Sequence, residues 1–128
     1  MNRWADEHAT ALGAELQDGE ELLVAARVAV ARRSGALATF PLPGRIFVLG
    51  LSDRRLLFWG ASKWFGRPRP LATSVALDQV IGVDLVRRVG GPRLRVTLAT
   101  GSIMLLESTW GGSVRALSDA FFALQNPR

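Results

Sequence analysis

Between Glu21 and Glu107 lie several apolar runs, alternating at every second residue over 22–31 and 93–98 and continuous over 46–51 and 56–59, separated by stretches rich in Gly, Pro, Asp or Ser. Period two is the spacing of a strand with two unlike faces, so this stretch points to an antiparallel β architecture. After Ser113 the period changes. Val114, Leu117, Phe121 and Leu124 fall three or four residues apart, which is the apolar stripe of one amphipathic helix over 113–125, flanked by Ser118 and Phe122. Ser113 or Thr109 can cap it, and Asn126-Pro127 ends it. A sheet of this length must close, or split into two layers, to bury its apolar face and protect its edges. A single terminal helix is the right size to plug one end of a small barrel.

The individual runs can be placed along the chain. Leu22, Val24, Ala26, Val28 and Val30 alternate with Leu23, Ala25, Arg27, Ala29 and Ala31. That reads as a strand with Arg27 on its second face, although the alanines leave a helix over 22–31 as an alternative. Arg32-Arg33-Ser34-Gly35 is expected to end the element, and the prolines and glycines of 34–44 mark a loop. Arg45–Leu51 and Arg55–Gly60 flank Ser52-Asp53-Arg54, a hairpin signature. A second Gly/Pro-rich loop is expected over 61–74, then short strands at 75–77, 80–88, 93–99 and 102–107, with Thr100-Gly101 as a tight turn. At the other end, Asn2 can cap a helix over 3–16, whose Trp4, Ala5, Ala9, Leu12 and Leu16 make one stripe. The order is helix, about seven strands, helix, with no internal repeat.

Composition removes most catalytic chemistries. The 128 residues contain no Cys, no Tyr and one His (His8), so disulfides, thiolate sites and Cys nucleophiles have nothing to be built from, and Ser52-Asp53 with the lone His8 gives no triad spacing. His8 sits at the edge of the first stripe with no second ligand-type residue at helical spacing, so no metal site is read there. No Gly-x-Ser-x-Gly elbow and no phosphate-cradling glycine loop occurs. The carboxylate pairs Asp6-Glu7 and Glu20-Glu21 need only helix-cap and surface roles. The expectation is a non-enzyme without cofactor or metal.

Charge is unevenly distributed. Residues 1–21 carry one basic and six acidic side chains, net −5, whereas residues 22–128 carry fifteen basic and five acidic ones, net +10. A basic body suits an anionic partner. Fifteen of the sixteen basic residues are Arg, however, and a compositional bias toward Arg gives the same charge without a ligand. No run of about 20 apolar residues is present, and the acidic N-terminus does not resemble a secretory leader. The expected location is the cytosol, with contact to the inner face of a membrane as an option.

The segment Gly50-Leu51-Ser52-Asp53-Arg54-Arg55-Leu56-Leu57-Phe58 resembles the strand–turn–strand motif of bacterial pleckstrin-homology-like (PH-like) and GRAM-like domains, with Ser52 in place of the commoner Thr. Leu77-Asp78-Gln79-Val80-Ile81-Gly82-Val83 is similar to the step into the second sheet of that family, and Leu94–Gly101 to its penultimate hairpin. The resemblance covers about residues 20–125 and implies a mainly β (α+β) fold: a partly open antiparallel barrel of about seven strands capped by a C-terminal helix. Here it carries an extra N-terminal helix, which gives a boundary between residues 1–18 and a PH-like domain at 20–126. In the motif Asp53 caps the turn and the following Arg is held by pairing across it.

The candidate site is the basic, aromatic loop 61–74. Alternate loops of a meander leave at the same end, so loops 34–44 and 61–74 are expected as neighbours, bringing Arg32, Arg33 and Arg45 toward Lys63, Trp64, Phe65, Arg67 and Arg69. Headgroup-binding loops of many eukaryotic members of the resembled superfamily lie at this end, but their Lys…Arg-x-Arg signature is absent here. The readings are ranked in order: a protein-interaction or self-associating assembly module, then peripheral contact with an anionic lipid surface through that loop. Nucleic-acid binding comes last, because Asp78, Asp84 and Glu107 break the basic surface and no helix is basic.

Overall fold

In a computed structural model the described residues are 12–13, 15–34, 42, 44–61, 68–88, 91–109 and 114–125. Seven strands are followed by one helix: β1 (Leu22–Ser34), β2 (Ile46–Ser52), β3 (Arg55–Ala61), β4 (Pro68–Ala76), β5 (Val80–Arg88), β6 (Gly91–Leu98), β7 (Ile103–Ser108) and α1 (Val114–Gln125). They form one antiparallel sheet in the order β4-β3-β2-β1-β7-β6-β5. β4 and β5 stand at opposite ends of that order, yet only the 3-10 turn Leu77–Gln79 separates them. Three residues span about 10 Å at most, so the sheet must curl until its two ends meet at this corner. Among the described residues no ladder joins β4 to β5, and the curl stays open.

β1 is the element that allows the curl. Its first part pairs with β2 from Leu22↔Ser52 to Ala29↔Ile46, and its second part pairs with β7 from Val28↔Ser108 to Ser34↔Ile103. The sequence expectation that Arg32-Arg33-Ser34 ends this strand is therefore corrected. Arg32 and Arg33 sit in the β7 ladder opposite Leu105 and Met104, past an irregularity between Val30 and Arg32. The helix alternative for 22–31 falls with it. Pairing with β2 along its first part and with β7 along its second outweighs the helix preference of its alanines.

The main core lies inside the curl, where Ala26, Val28, Phe47, Leu49, Leu51, Phe58, Leu94, Val96, Met104 and Leu106 meet Val114, Leu117 and Phe121 of α1. Leu124, expected to be buried with them, is half-buried against the same cluster. Phe47 and Phe58, at neighbouring strand positions, tilt together with ring centroids 5.6 Å apart. At the start of α1, Ser108 Oγ accepts from Val114 N at 3.1 Å, while Thr109 Oγ1 donates to Arg27 O at 2.8 Å. The alternative cap, Ser113, lies outside the described residues.

A second apolar cluster covers the outer face of β1–β4: Leu12, Ala25, Val48, Leu57 and Trp59, with Leu16, Leu22 and Leu71 at its margin. On this face Ala25 of β1 lies in the cluster with Leu12, where its small side chain leaves room for the leucine. Of the helix expected over 3–16, Leu12 and Gly13 have helical backbone, and residues 1–11 lie outside the described residues.

Gly50 in β2 is required by this second layer. A Cβ there would sit 2.5 Å from Cζ3 of Trp59, whose buried ring lies over it. Gly50→Ala is expected to cost about 1–3 kcal/mol through overpacking. Denaturant titration checks this, and a neutral result would mean that the Trp59 ring does not occupy that place.

The loop expected over 61–74 is shorter than its composition suggests. Pro68–Ala76 is strand β4, paired with β3 from Arg55↔Ala76 to Ala61↔Pro68 with two register irregularities. Pro68 and Pro70 are tolerated because β4 is an edge strand, where an amide that would face solvent is not missed.

Candidate functional site

The expected basic set is only partly described. Lys63, Trp64, Phe65 and Arg67 lie outside the described residues, as does His8. Arg32 and Arg45 are exposed, Arg33 lies on β1 and Arg69 on β4. The backbone does bring two of the connections together. β2 begins beside the end of β3 through Phe47↔Gly60, and Ala61↔Pro68 sets the start of β4 next to both. Arg45, whose carbonyl accepts from Val30 N at 2.8 Å, thus leaves the sheet at the same end as the β3–β4 connection. Arg32 and Arg33 continue along β1 toward β7 instead of turning into the loop.

The Ser52-Asp53-Arg54-Arg55 turn has a different function from the one its spacing suggests. The turn itself is closed by Ser52, whose Oγ accepts from Arg54 N at 3.1 Å and Arg55 N at 3.0 Å. Asp53 points outward along the chain: its Oδ1 accepts from Glu21 N at 3.0 Å while its own N donates to Glu21 O at 3.1 Å. Arg55 holds Glu20 in a fork, Nε to Oε2 and Nη2 to Oε1, both 2.9 Å. Ser52 Oγ adds a 2.6 Å bond to Glu20 Oε2, and Gln17 N donates to Oε1 at 2.8 Å. The remaining guanidinium donors reach Ser74 Oγ and Glu15 O. Arg55 is thus paired to a carboxylate 35 residues away, and Arg54, the Arg that follows Asp53, reaches Gln17 Oε1 at 3.4 Å, so neither is held across the turn.

The surface role expected of Glu20 is therefore corrected. Its side chain is 0% exposed and that of Arg55 13%. The bond from Arg55 does most to hold the Glu20 carboxyl down, with Ser52 and Gln17 adding to it against the cost of burial, and its pKa falls to about 2. Glu20 in turn raises the Arg55 guanidinium. Both carboxylate oxygens already accept two hydrogen bonds each, so the group has little capacity left for proton transfer. What it does is fasten residues 15–21 to the β2–β3 hairpin. Sequence reasoning missed it because a glutamate beside another glutamate reads as solvated. The one available signal was an arginine inside a turn motif with no local acid other than Asp53.

On the outer face of β5–β7 the acids are matched by cations. Arg95 contacts Asp84 at 3.0 and 3.3 Å, and Arg93 contacts Glu107 at 3.7 Å. All four side chains are about a third to a half exposed, so these pairs contribute little to stability. They do divide the basic surface. Among the described residues no group of three His, Cys, Asp or Glu side chains is placed to hold a metal ion, and no helix is long and apolar enough to cross a membrane.

The two edges of the sheet differ. β4 begins with Pro68 and Pro70 and pairs irregularly. β5 is nine residues long, contains neither Pro nor Lys, and pairs with β6 in unbroken register from Gly82↔Thr97 to Arg88↔Gly91. Ile81, near its start, is 62% exposed.

No family model matches the chain, and no curated protein sequence matches it. Among solved structures it is similar to the Vps36 N-terminal PH domain, with TM-score 0.56 and 18% identity, covering 87% of this chain and 83% of that one. At that identity the likeness speaks to the fold alone, and the fold it gives is the PH kind: a curled seven-stranded antiparallel sheet with one C-terminal helix.

Proposed function

We propose that the chain is a non-catalytic interaction module that assembles with another polypeptide chain through the β5 edge of its sheet. The observation that carries this reading is the contrast between the edges: β4 is blunted by prolines and irregular pairing, whereas β5 presents a long, regular row of backbone groups. Such an edge is a template for strand addition. The non-catalytic part is supported by Glu20, the one buried carboxylate among the described residues, whose oxygens are already occupied. The resemblance of the Gly50–Phe58 motif to bacterial PH-like and GRAM-like domains, which often look like assembly domains, supports the reading, and the fold is of the PH kind.

A second reading is peripheral contact with anionic membrane on the cytosolic side through Arg32, Arg33, Arg45, Lys63, Trp64, Phe65, Arg67 and Arg69. The shared exit of Arg45 and the β3–β4 connection favours it. Three loop cations near an anionic surface would supply about 3 kcal/mol, enough for weak reversible attachment.

One experiment separates these. The wild type and a Trp64→Ala/Phe65→Ala variant are tested for co-sedimentation with phosphatidylserine vesicles and for mobility shift of a single-stranded oligonucleotide. The interaction-module reading expects neither at physiological salt. Sedimentation that the double variant weakens at constant charge would replace it with the membrane reading, and a steeply salt-dependent oligonucleotide shift would replace both.

A further inference from the structure

We infer that the occupant of the β5 edge is β5 of a second copy of this chain, paired antiparallel about a two-fold axis at Val86. This inference rests on the reading of β5 as the working edge and names its partner.

The argument begins with symmetry. On an edge strand, alternate residues turn their N–H and C=O away from the existing neighbour. In a two-fold pair both copies offer the same alternate set, so facing residues are separated by an even number of positions and the axis falls on a residue. For Val80–Arg88 few centres give useful overlap, and charge distinguishes them. A centre at Asp84 sets carboxylate against carboxylate, and one at Arg87 sets guanidinium against guanidinium. Centres at Val83 or Leu85 leave Asp84 facing Gly82 or Val86. Only the centre at Val86 sets Asp84 opposite Arg88, and symmetry makes that pairing occur twice. Like charges directly opposite one another destabilise a ladder and unlike charges stabilise it, so electrostatics selects this register.

The neighbouring strands fit the same register. Asp84 already lies opposite Arg95 and Val86 opposite Arg93, while Arg93 faces Glu107 on β7. Pairing at Val86 therefore extends one row as Arg95, Asp84, Arg88 and a second as Glu107, Arg93, Val86, Val86, with signs alternating or neutral across the join. The Asp84 side chain is 50% exposed with Arg95 bound to it, which leaves carboxylate surface for a second cation. The edge is thus self-complementary in charge.

Sedimentation equilibrium on the full chain over a wide concentration range tests this, with amide exchange followed in β5. The wild type is expected to associate reversibly to a dimer, with exchange of residues 84–88 slowing as dimer forms. Arg88→Glu faces Asp84 with a second acid, and Asp84→Lys faces Arg88 with a second base. Each variant alone is expected to weaken association at least about tenfold. An equimolar mixture restores both pairings in trans and should return association to within about threefold of wild type. Thermal midpoints confirm that each variant is folded, which matters for Asp84→Lys because it also loses Arg95. A wild type that stays monomeric overturns the inference while leaving strand addition by another protein, and so does a dimer indifferent to both charge reversals or not restored by mixing. A dimer whose β5 amides exchange as fast as in dilute protein overturns the inference and the edge reading together.

Discussion

Glu20→Gln is expected to lower stability by about 3 kcal/mol at neutral pH and to flatten the acid limb of the stability curve. The carboxyl titrates at about 2 in the fold against an ordinary 4.5, because the Arg55 fork, Ser52 and Gln17 all donate to its charged form. A depressed carboxyl contributes stability that is fully present above its unfolded pKa and is lost as pH falls toward the folded one. The window is therefore roughly pH 4.5 down to 2, and the linkage over that shift amounts to about 3 kcal/mol. Gln keeps the shape but leaves the mostly buried Arg55 without its counter-charge, a loss in the range measured for broken buried pairs. The thermal midpoint should drop on the order of 10 °C. Melting curves between pH 2 and 7 check it: wild type should lose stability below pH 4.5 more steeply than the variant. Parallel curves would mean that Glu20 is not charged and held as described.

Leu12→Ala is expected to cost about 2–4 kcal/mol, although Leu12 precedes the first strand by ten positions. It is 0% exposed against Ala25, Val48, Leu57 and Trp59, and deleting a buried leucine loses transfer energy and leaves a cavity. The rigid sheet beneath it has little freedom to collapse into the gap. We propose on this ground that residues 12–21 fold cooperatively with the β domain, so that a boundary drawn at 18–20 would divide one unit. A single denaturant transition shifted to lower midpoint, followed by Trp fluorescence, is the expected result. A shift below about 0.5 kcal/mol would mean the segment is an appendage.

These two residues illustrate what local pattern reveals. The strands β2, β3, β5, β6 and β7 and helix α1 were legible because each owes its form to its own periodicity and bounding turns, and those are properties of neighbours in sequence. The inward set Leu94, Val96, Leu117 and Phe121 followed directly, since period fixes the face. β4 was hidden because two prolines argue for a loop, and only pairing with β3 at an edge outweighs that.

What tertiary structure alone decided were the long-range partners. Period two in β1 named a strand, but not that Leu12 would pack against Ala25 on its outer face, nor that it would pass from β2 to β7 halfway along. The sequence shows Arg55 in a turn motif and Glu20 beside Glu21, and nothing in either neighbourhood joins them. Pairing of β1 with β2 does so: Leu22↔Ser52 sets the residues before β1 beside the β2–β3 turn, where a buried charge is stable only with its counter-charge in contact. The curl of the sheet placed β4 and β5, the two strands that end it, at the open corner. The sequence therefore determined which elements form, through local periodicity and turn chemistry. Which of them meet, and which strands end the sheet, was decided by strand pairing, because that depends on contacts between residues far apart in the chain.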